Sequence, residues 1–514
     1  VKVARNSGIL LLTFGFSSLS GIITSALLAW VLSIEELGLY GHYLRVYAWL
    51  VALAGLVLPP VLIRYTAELS GAGRWSAARA ILRRSIQFQS GCAALLLSVW
   101  AGLTWWHGDD LAVASGVAAA FLATAFVLVV ESWLRGEQRF GVVAKATLHS
   151  TTARILGLGA LLLFGGGLAM AIWIFALSQF VALGLMAGAT LAALRSQRGR
   201  IDTAEPLPRG ELRRRVGEYA LAMGGGGLLS LVSWGYIEVF LLGWWWEGRE
   251  GMNAQLAFYT MAITVSALPM RLGKVVSGAL FPAFSQAAGS GEFERLGRAY
   301  RSVTVLSTIT GGFIALLAIA LAAPAVRLVF PEDLAPMVLP LQLLLIPTLF
   351  LAMNHAGGAV INILDGHRFY FLITLIAVPV NLALDWMLIP RWGAVGAAGV
   401  NAIVQSATIV VSLSYVARVQ RLGFPGRQVV GTLAAGVVAA LVGWGISRLA
   451  GTSHLGSAAG LLGGGATAVL VYILGLRLLR VVGVAERGVL GECGRLLPPM
   501  ARPMWNRVLT VLAP

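Results

Sequence analysis

Five cations sit where a cation is costly: Arg45, Lys145, Arg154, Arg271 and Lys274 all fall in long apolar runs. A charge at the centre of a bilayer costs about 2.5–3.5 kcal/mol on insertion scales, so such residues must face a protein interior or a wet cavity. Arg271 and Lys274 are three apart and share one face of a helix. Arg154 lies near the middle of its run, whereas Lys145 is one turn inside its start. Arg45 is closer to an edge, where snorkelling to the interface is the alternative to facing a cavity. Three acids, Glu131, Glu238 and Asp385, occupy comparable runs. Even with every acid paired, two positive charges remain, and the chemistry this favours is capture of an anion. Glu238 and Asp385 are also candidates for carrying protons or a coupling cation, with salt-bridge or interhelical roles as the alternative. His149 and His355 read as packing histidines. Asn354, Asn362 and Asn381 read as hydrogen-bonding partners between helices.

The elements that must position these residues are membrane spans. Of 514 residues, 58 % are hydrophobic and 12 % charged, against roughly 45–50 % and about 25 % in soluble domains. A helix needs about 20 apolar residues to cross the hydrocarbon. That ruler predicts fourteen segments, near 8–32, 39–63, 85–106, 111–134, 142–164, 168–194, 218–246, 254–284, 302–324, 337–363, 370–390, 397–417, 429–450 and 456–476. The fold class is therefore an all-α polytopic membrane protein. The first segment reads as a span of the mature fold rather than a cleaved signal, being 25 residues long with no small-residue cleavage site after it.

Charge sets the orientation. With both termini in the cytoplasm, the inner stretches, with Lys145 counted among them, hold 30 of the 38 basic residues and the outer loops four: Arg249, Arg327, Arg391 and Arg448. The same outer loops carry the acids Glu35, Glu36, Asp109, Asp110, Glu247, Glu250, Glu332 and Asp333. Trp105, Trp106, Trp244, Trp245, Trp246 and Trp392 fall at the outer ends of spans, as an interfacial belt requires. The net charge of +16 is thus explained by topology and by attraction to anionic lipid, and nucleic acid is not an expected partner. The mixed basic and apolar stretches 74–84, 209–215 and 292–301 read as short interfacial helices on the inner face.

The chain repeats itself. Gly71–Trp75 and Gly289–Phe293 are 218 apart, Leu134–Phe140 and Leu364–Phe369 about 230, and the openings at Gly167 and Gly396 are 229 apart. Six spans per half makes the repeat parallel, with an axis along the membrane normal. The expected organisation is an N-lobe over 1–194, a basic cytoplasmic linker over 195–217, and a C-lobe over 218–420. Two further spans follow in 421–480, then a basic cytoplasmic tail over 481–514. Two such bundles suit rocking about a central site. Two cysteines, Cys92 and Cys493, offer no disulfide framework or metal cluster. No Walker loop, zinc-protease motif or nucleophile elbow is present, so neither a cofactor nor an enzymatic activity is expected. The glycine runs at Gly165–Gly167, Gly224–Gly227 and Gly463–Gly465 read as close helix packing or kinks.

Several stretches resemble a known family. They are S-I-E-E-L-G-L-Y-G over Ser33–Gly41, A-F-Y-T-M-A over Ala257–Ala262, L-F-P-A-F-S over Leu280–Ser285, and most specifically N-L-A-L-D-W-M-L-I-P-R-W-G-A-V-G-A-A-G over Asn381–Gly399. Over roughly residues 5–420 the pattern is similar to Wzx-type lipid-linked oligosaccharide flippases of the MOP superfamily, relatives of MurJ-type lipid II flippases and MATE exporters. The resemblance implies a V-shaped pair of six-helix lobes in a bacterial inner membrane, working by alternating access. The implied substrate is an undecaprenyl-pyrophosphate-linked glycan moved to the periplasmic leaflet, with Arg45, Lys145, Arg154, Arg271 and Lys274 as the positions that would hold the pyrophosphate. Membrane lipids, and a polysaccharide polymerase with other assembly proteins, are the implied partners. The two extra spans also resemble the MurJ arrangement, which keeps lipid II as an alternative substrate. A MATE-like exporter of drugs or organic cations is the other alternative, and it would call for an acidic cavity.

Overall fold

A computed structural model describes residues 19–197, 214–221, 237–267, 292–364, 367–419 and 421–483, with isolated positions between them. Among the described residues every regular element is a helix. The chain divides into two compact units, Val1–Thr260 and Met261–Pro514.

In the first unit, α1 (Leu19–Val31) is a short apolar helix. A bend of 41° separates α2 (Ile34–Gly55) from α3 (Leu58–Gly71), which together are apolar enough for one span. Pro59 and Pro60, just past Leu58 at the start of α3, tolerate that corner because the first turn of a helix needs no backbone donor. Then come α4 (Trp75–His107), α5 (Leu111–Gly136), α6 (Phe140–Phe164) and α7 (Leu168–Ser196), each long and apolar enough to cross a membrane. The stretch 75–84 forms the first turns of α4 rather than a separate interfacial helix. A shorter α8 (Glu238–Trp246) is followed by a helical run over 252–267.

The ends of these helices are tied by polar contacts, as backbone groups leaving a helix require. At the acid-bearing end, Ser33 and Glu36 form a reciprocal capping box that starts α2. The other Glu36 oxygen accepts from the Leu168 amide at 3.2 Å, joining α2 to α7. Gly108 takes the left-handed conformation (φ 69°) that closes α4, and Asp110 then caps α5. At the Arg-rich end, Glu137 accepts from Ser70 at 2.5 Å and from Gln197 at 3.0 Å, so the motif after α5 clasps α3 and the end of α7. Arg215 pairs with Glu68 at 2.8 Å while its carbonyl accepts from the Tyr65 hydroxyl at 2.9 Å. Ser76 donates from its hydroxyl and its amide to Asp202, and these bonds hold the Asp202 carboxyl below its ordinary range.

The second unit contains α9 (Phe293–Ala320), interrupted by a π-turn at Thr308–Gly312, then α10 (Ala322–Val329) and α11 (Val338–Ile363). The next element, α12 (His367–Arg418), is two helices meeting at Gly393. There φ is 52° and ψ −127°, a conformation that glycine adopts readily and other residues do not. Its two arms match the predicted segments 370–390 and 397–417. The chain closes with the hairpin of α13 (Gly426–Leu449) and α14 (His454–Leu478). This pair packs backbone to backbone: a Cβ on Gly443 would lie 2.8 Å from the Gly464 carbonyl oxygen, and one on Gly464 would lie 2.5 Å from that of Gly443. Close approach is thus what Gly464, the middle glycine of the 463–465 run, permits. The hairpin docks on the π-turn of α9, where the Tyr472 hydroxyl donates to the Ile309 carbonyl at 2.8 Å and its ring stacks on Phe313 at 4.0 Å.

Candidate functional site

Helix α6 has little amphipathic character, and its packed face is marked by Val143, Ala146, Ser150, Leu158 and Leu161. Arg154 belongs to that face, four residues after Ser150 and four before Leu158, close to mid-helix. At 1.5 Å per residue it lies about 15 Å from one end of α6 and about 21 Å from the other. The guanidinium carbon is 5.6 Å from the centre of the Phe175 ring on α7. Its Nε is buried and makes no hydrogen bond among the described residues. No described carboxylate forms an ion pair with it.

The rest of the shell comes from three neighbouring helices. Tyr40 and Tyr47 are seven apart on one face of α2, and the Arg154 charge acts on both hydroxyls. Tyr47 meets Phe175 edge-to-face at 5.0 Å. Its hydroxyl is 2.8 Å from Thr124 Oγ1 on α5, and Thr124 donates to Gln179 Oε1 on α7 at 3.3 Å. The arrangement is a cation lined by phenols, a phenyl ring, a hydroxyl and an amide, deep between helices long enough to span. Chemically it can bind an electron-rich group, and no described acid competes for the charge.

The other predicted positions are placed elsewhere. Lys145 is exposed, and being nine residues before Arg154 it projects from the opposite side of α6. Arg45 lies two residues before Tyr47, about 160° around α2, on the side of His42 and Trp49. That side meets Phe240 of α8, with ring centres 5.8 Å and 5.6 Å away, and it approaches the 252–267 run through Gly38 and Gly41, which abut Asn253 and Thr260. Arg271 and Lys274, and the Leu280–Ser285 motif, lie outside the described residues. Glu131 is engaged by Arg135 one turn on. Glu238 is buried at 2 % exposure in the first turn of α8. In the second unit Asp385 is fully buried in α12 and accepts from the Asn381 amide at 2.7 Å.

A family profile described as polysaccharide biosynthesis protein matches residues 3–288, more than half the chain. The chain belongs to this family. A second profile, MatE, matches residues 229–387. As a member of the polysaccharide biosynthesis proteins, the chain shares its fold with solved membrane transporters. One is the lipid II flippase MurJ in an inward closed conformation, at 14 % identity and TM-score 0.66, covering 91 % of this chain and 97 % of that one. Another is an inward-facing multidrug resistance MATE family transporter of the MOP superfamily, at 17 % identity and TM-score 0.64, covering 79 % and 95 %. A third is the Vibrio cholerae MATE transporter VcmN in a mutant form, at 13 % identity and TM-score 0.56, covering 82 % and 98 %. No protein of curated function matches the chain. Family, fold and the long apolar helices together make this a multi-pass membrane protein built on the fold of those transporters.

The phenols, Thr124 and Gln179 are the site residues that charge counting misses. The phenols leave a signal in the sequence, a run of tyrosines at 40, 43 and 47 spaced three and four apart inside an apolar segment, whereas Thr124 and Gln179 leave none.

Proposed function

We propose that the chain is a flippase for an undecaprenyl-pyrophosphate-linked oligosaccharide, carried from the cytoplasmic to the periplasmic leaflet of a bacterial inner membrane. It would work by alternating access of two six-helix lobes, 1–194 and 218–420. The observation that carries the reading is Arg154: a guanidinium near mid-helix, with no described acid beside it, in a polysaccharide biosynthesis protein. An unpaired intramembrane cation costs several kcal/mol to keep unless a ligand neutralises it. A pyrophosphate is such a ligand, and its glycan and polyprenyl parts suit the family. The same cluster argues against an exporter of organic cations, which would be repelled. Arg45, Arg271 and Lys274 are the further cations of this reading, and Asp385 and Glu238 its coupling groups.

Each negative charge moved outward across an inside-negative membrane gains about 2.3 kcal/mol per 100 mV, so voltage can supply part of the drive. A lipid II flippase is the second reading, favoured by the extra hairpin α13–α14 and by MurJ covering 91 % of the chain. The deciding experiment replaces Arg154 by Ala at matched membrane abundance and follows lipid-linked intermediates on the cytoplasmic side. Accumulation of a glycan-linked undecaprenyl pyrophosphate supports the first reading, and accumulation of lipid II the second. Unchanged export removes the site.

A further inference from the structure

We infer that Gln179 is a second residue that grips the phosphate head, and that Tyr47 and Thr124 hold its amide so that nitrogen rather than oxygen is offered. The inference rests on the flippase reading. Each hydroxyl has a single hydrogen to give. Thr124 gives its hydrogen to Gln179 Oε1 at 3.3 Å, so in the 2.8 Å contact with Tyr47 it must accept the phenol's. The chain of donation therefore runs Tyr47 to Thr124 to Gln179, and it ends by occupying the amide oxygen. On the other side of the amide, Nε2 gives one hydrogen to Ser178 Oγ at 3.3 Å, while Ser178 gives its own to the Phe175 carbonyl at 2.6 Å. That leaves the second hydrogen of Nε2 with no acceptor among the described residues. Gln179 and Phe175 are four apart on one face of α7, and the Arg154 guanidinium lies by the Phe175 ring. Two donor groups, one charged and one neutral, thus share a half-buried site that has no carboxylate among the described residues. The fitting ligand is rich in acceptors and negative.

The test measures affinity of the purified full chain for a long-chain polyprenyl pyrophosphate in detergent, with the corresponding uncharged polyprenol as control. Gln179→Glu turns the donor into a repelling acceptor. It should weaken binding roughly 100-fold, the scale of a lost hydrogen bond to a charged group plus a like-charge penalty. Gln179→Lys keeps a donor and should bind at least as tightly as the parent. Thr124→Val frees the amide to rotate and should cost about three- to tenfold. Binding of the polyprenol should move in none of them. Equal impairment by Glu and Lys, or loss of polyprenol binding alongside, would assign Gln179 to packing and overturn the inference. So would parent-like binding by Gln179→Glu. If Arg154→Ala also binds like the parent, the flippase site itself fails. If Arg154→Ala loses binding while Gln179→Glu keeps it, only the role of Gln179 is lost.

Discussion

Each unit holds a polar cluster among its helices, one built on a base and the other on an acid. In the first, Arg154 stands among Tyr40, Tyr47, Phe175, Thr124 and Gln179 without a described acid. In the second, Asp385 is fully buried and takes a hydrogen bond from Asn381, one turn away on the same arm of α12. Two halves with a shared sequence pattern thus present different chemistry. A cation suits an anionic head-group, and an acid with an amide beside it suits a proton or metal cation. The difference lets each cluster be tested alone.

The sharpest break is Arg154→Ala, expected to lower export by about 100-fold or more, with Arg154→Lys intermediate because a point charge cannot fork. Thermal stability of the purified Ala variant should not fall, since the change removes an intramembrane charge worth about 2.5–3.5 kcal/mol of insertion cost. Collapse of the membrane potential comes next: with one net negative charge moved, flipping in proteoliposomes should drop by up to about 50-fold per 100 mV. Flipping that continues unchanged would exclude voltage as a drive. Asp385→Asn keeps the shape and an acceptor oxygen but loses the charge, and a drop of about tenfold, seen as lost ion or pH dependence, would mark the second cluster as the coupling element. Smallest is Glu137→Ala, outside both clusters. It removes two bonds at the Arg-rich end and should cost about 1–2 kcal/mol of stability, read as a modest fall in Tm with transport per folded molecule unchanged.

Much of this frame is legible in the chain itself, because the bilayer imposes a length and a polarity that hydropathy reports directly. The predicted segments 111–134, 142–164 and 168–194 lie within α5, α6 and α7. Extent beyond the hydrocarbon is less visible. The start of α4 at Trp75 lies ten residues before the predicted span, since a basic amphipathic stretch continues a helix as readily as it forms its own. Arg154 is legible because charge in an apolar run is expensive whatever surrounds it. Direction around a helix is less legible: counting charges groups Lys145 with Arg154, yet nine residues place them on opposite sides of α6. The Tyr47–Thr124–Gln179 chain joins three helices, and no local pattern records such a meeting.

The hydrogen bond from Tyr472 to the Ile309 carbonyl bears on how short the protein can be made. A π-turn loosens the regular ladder of helix bonds, and here an outside phenol takes up one of its oxygens. Trimming the chain after the twelfth segment would leave that oxygen, and the face of Phe313, against hydrocarbon that can offer no donor. The last hairpin is therefore a lining for a weak point in α9, and a twelve-segment version would need that turn rebuilt before it could be expected to survive in a membrane.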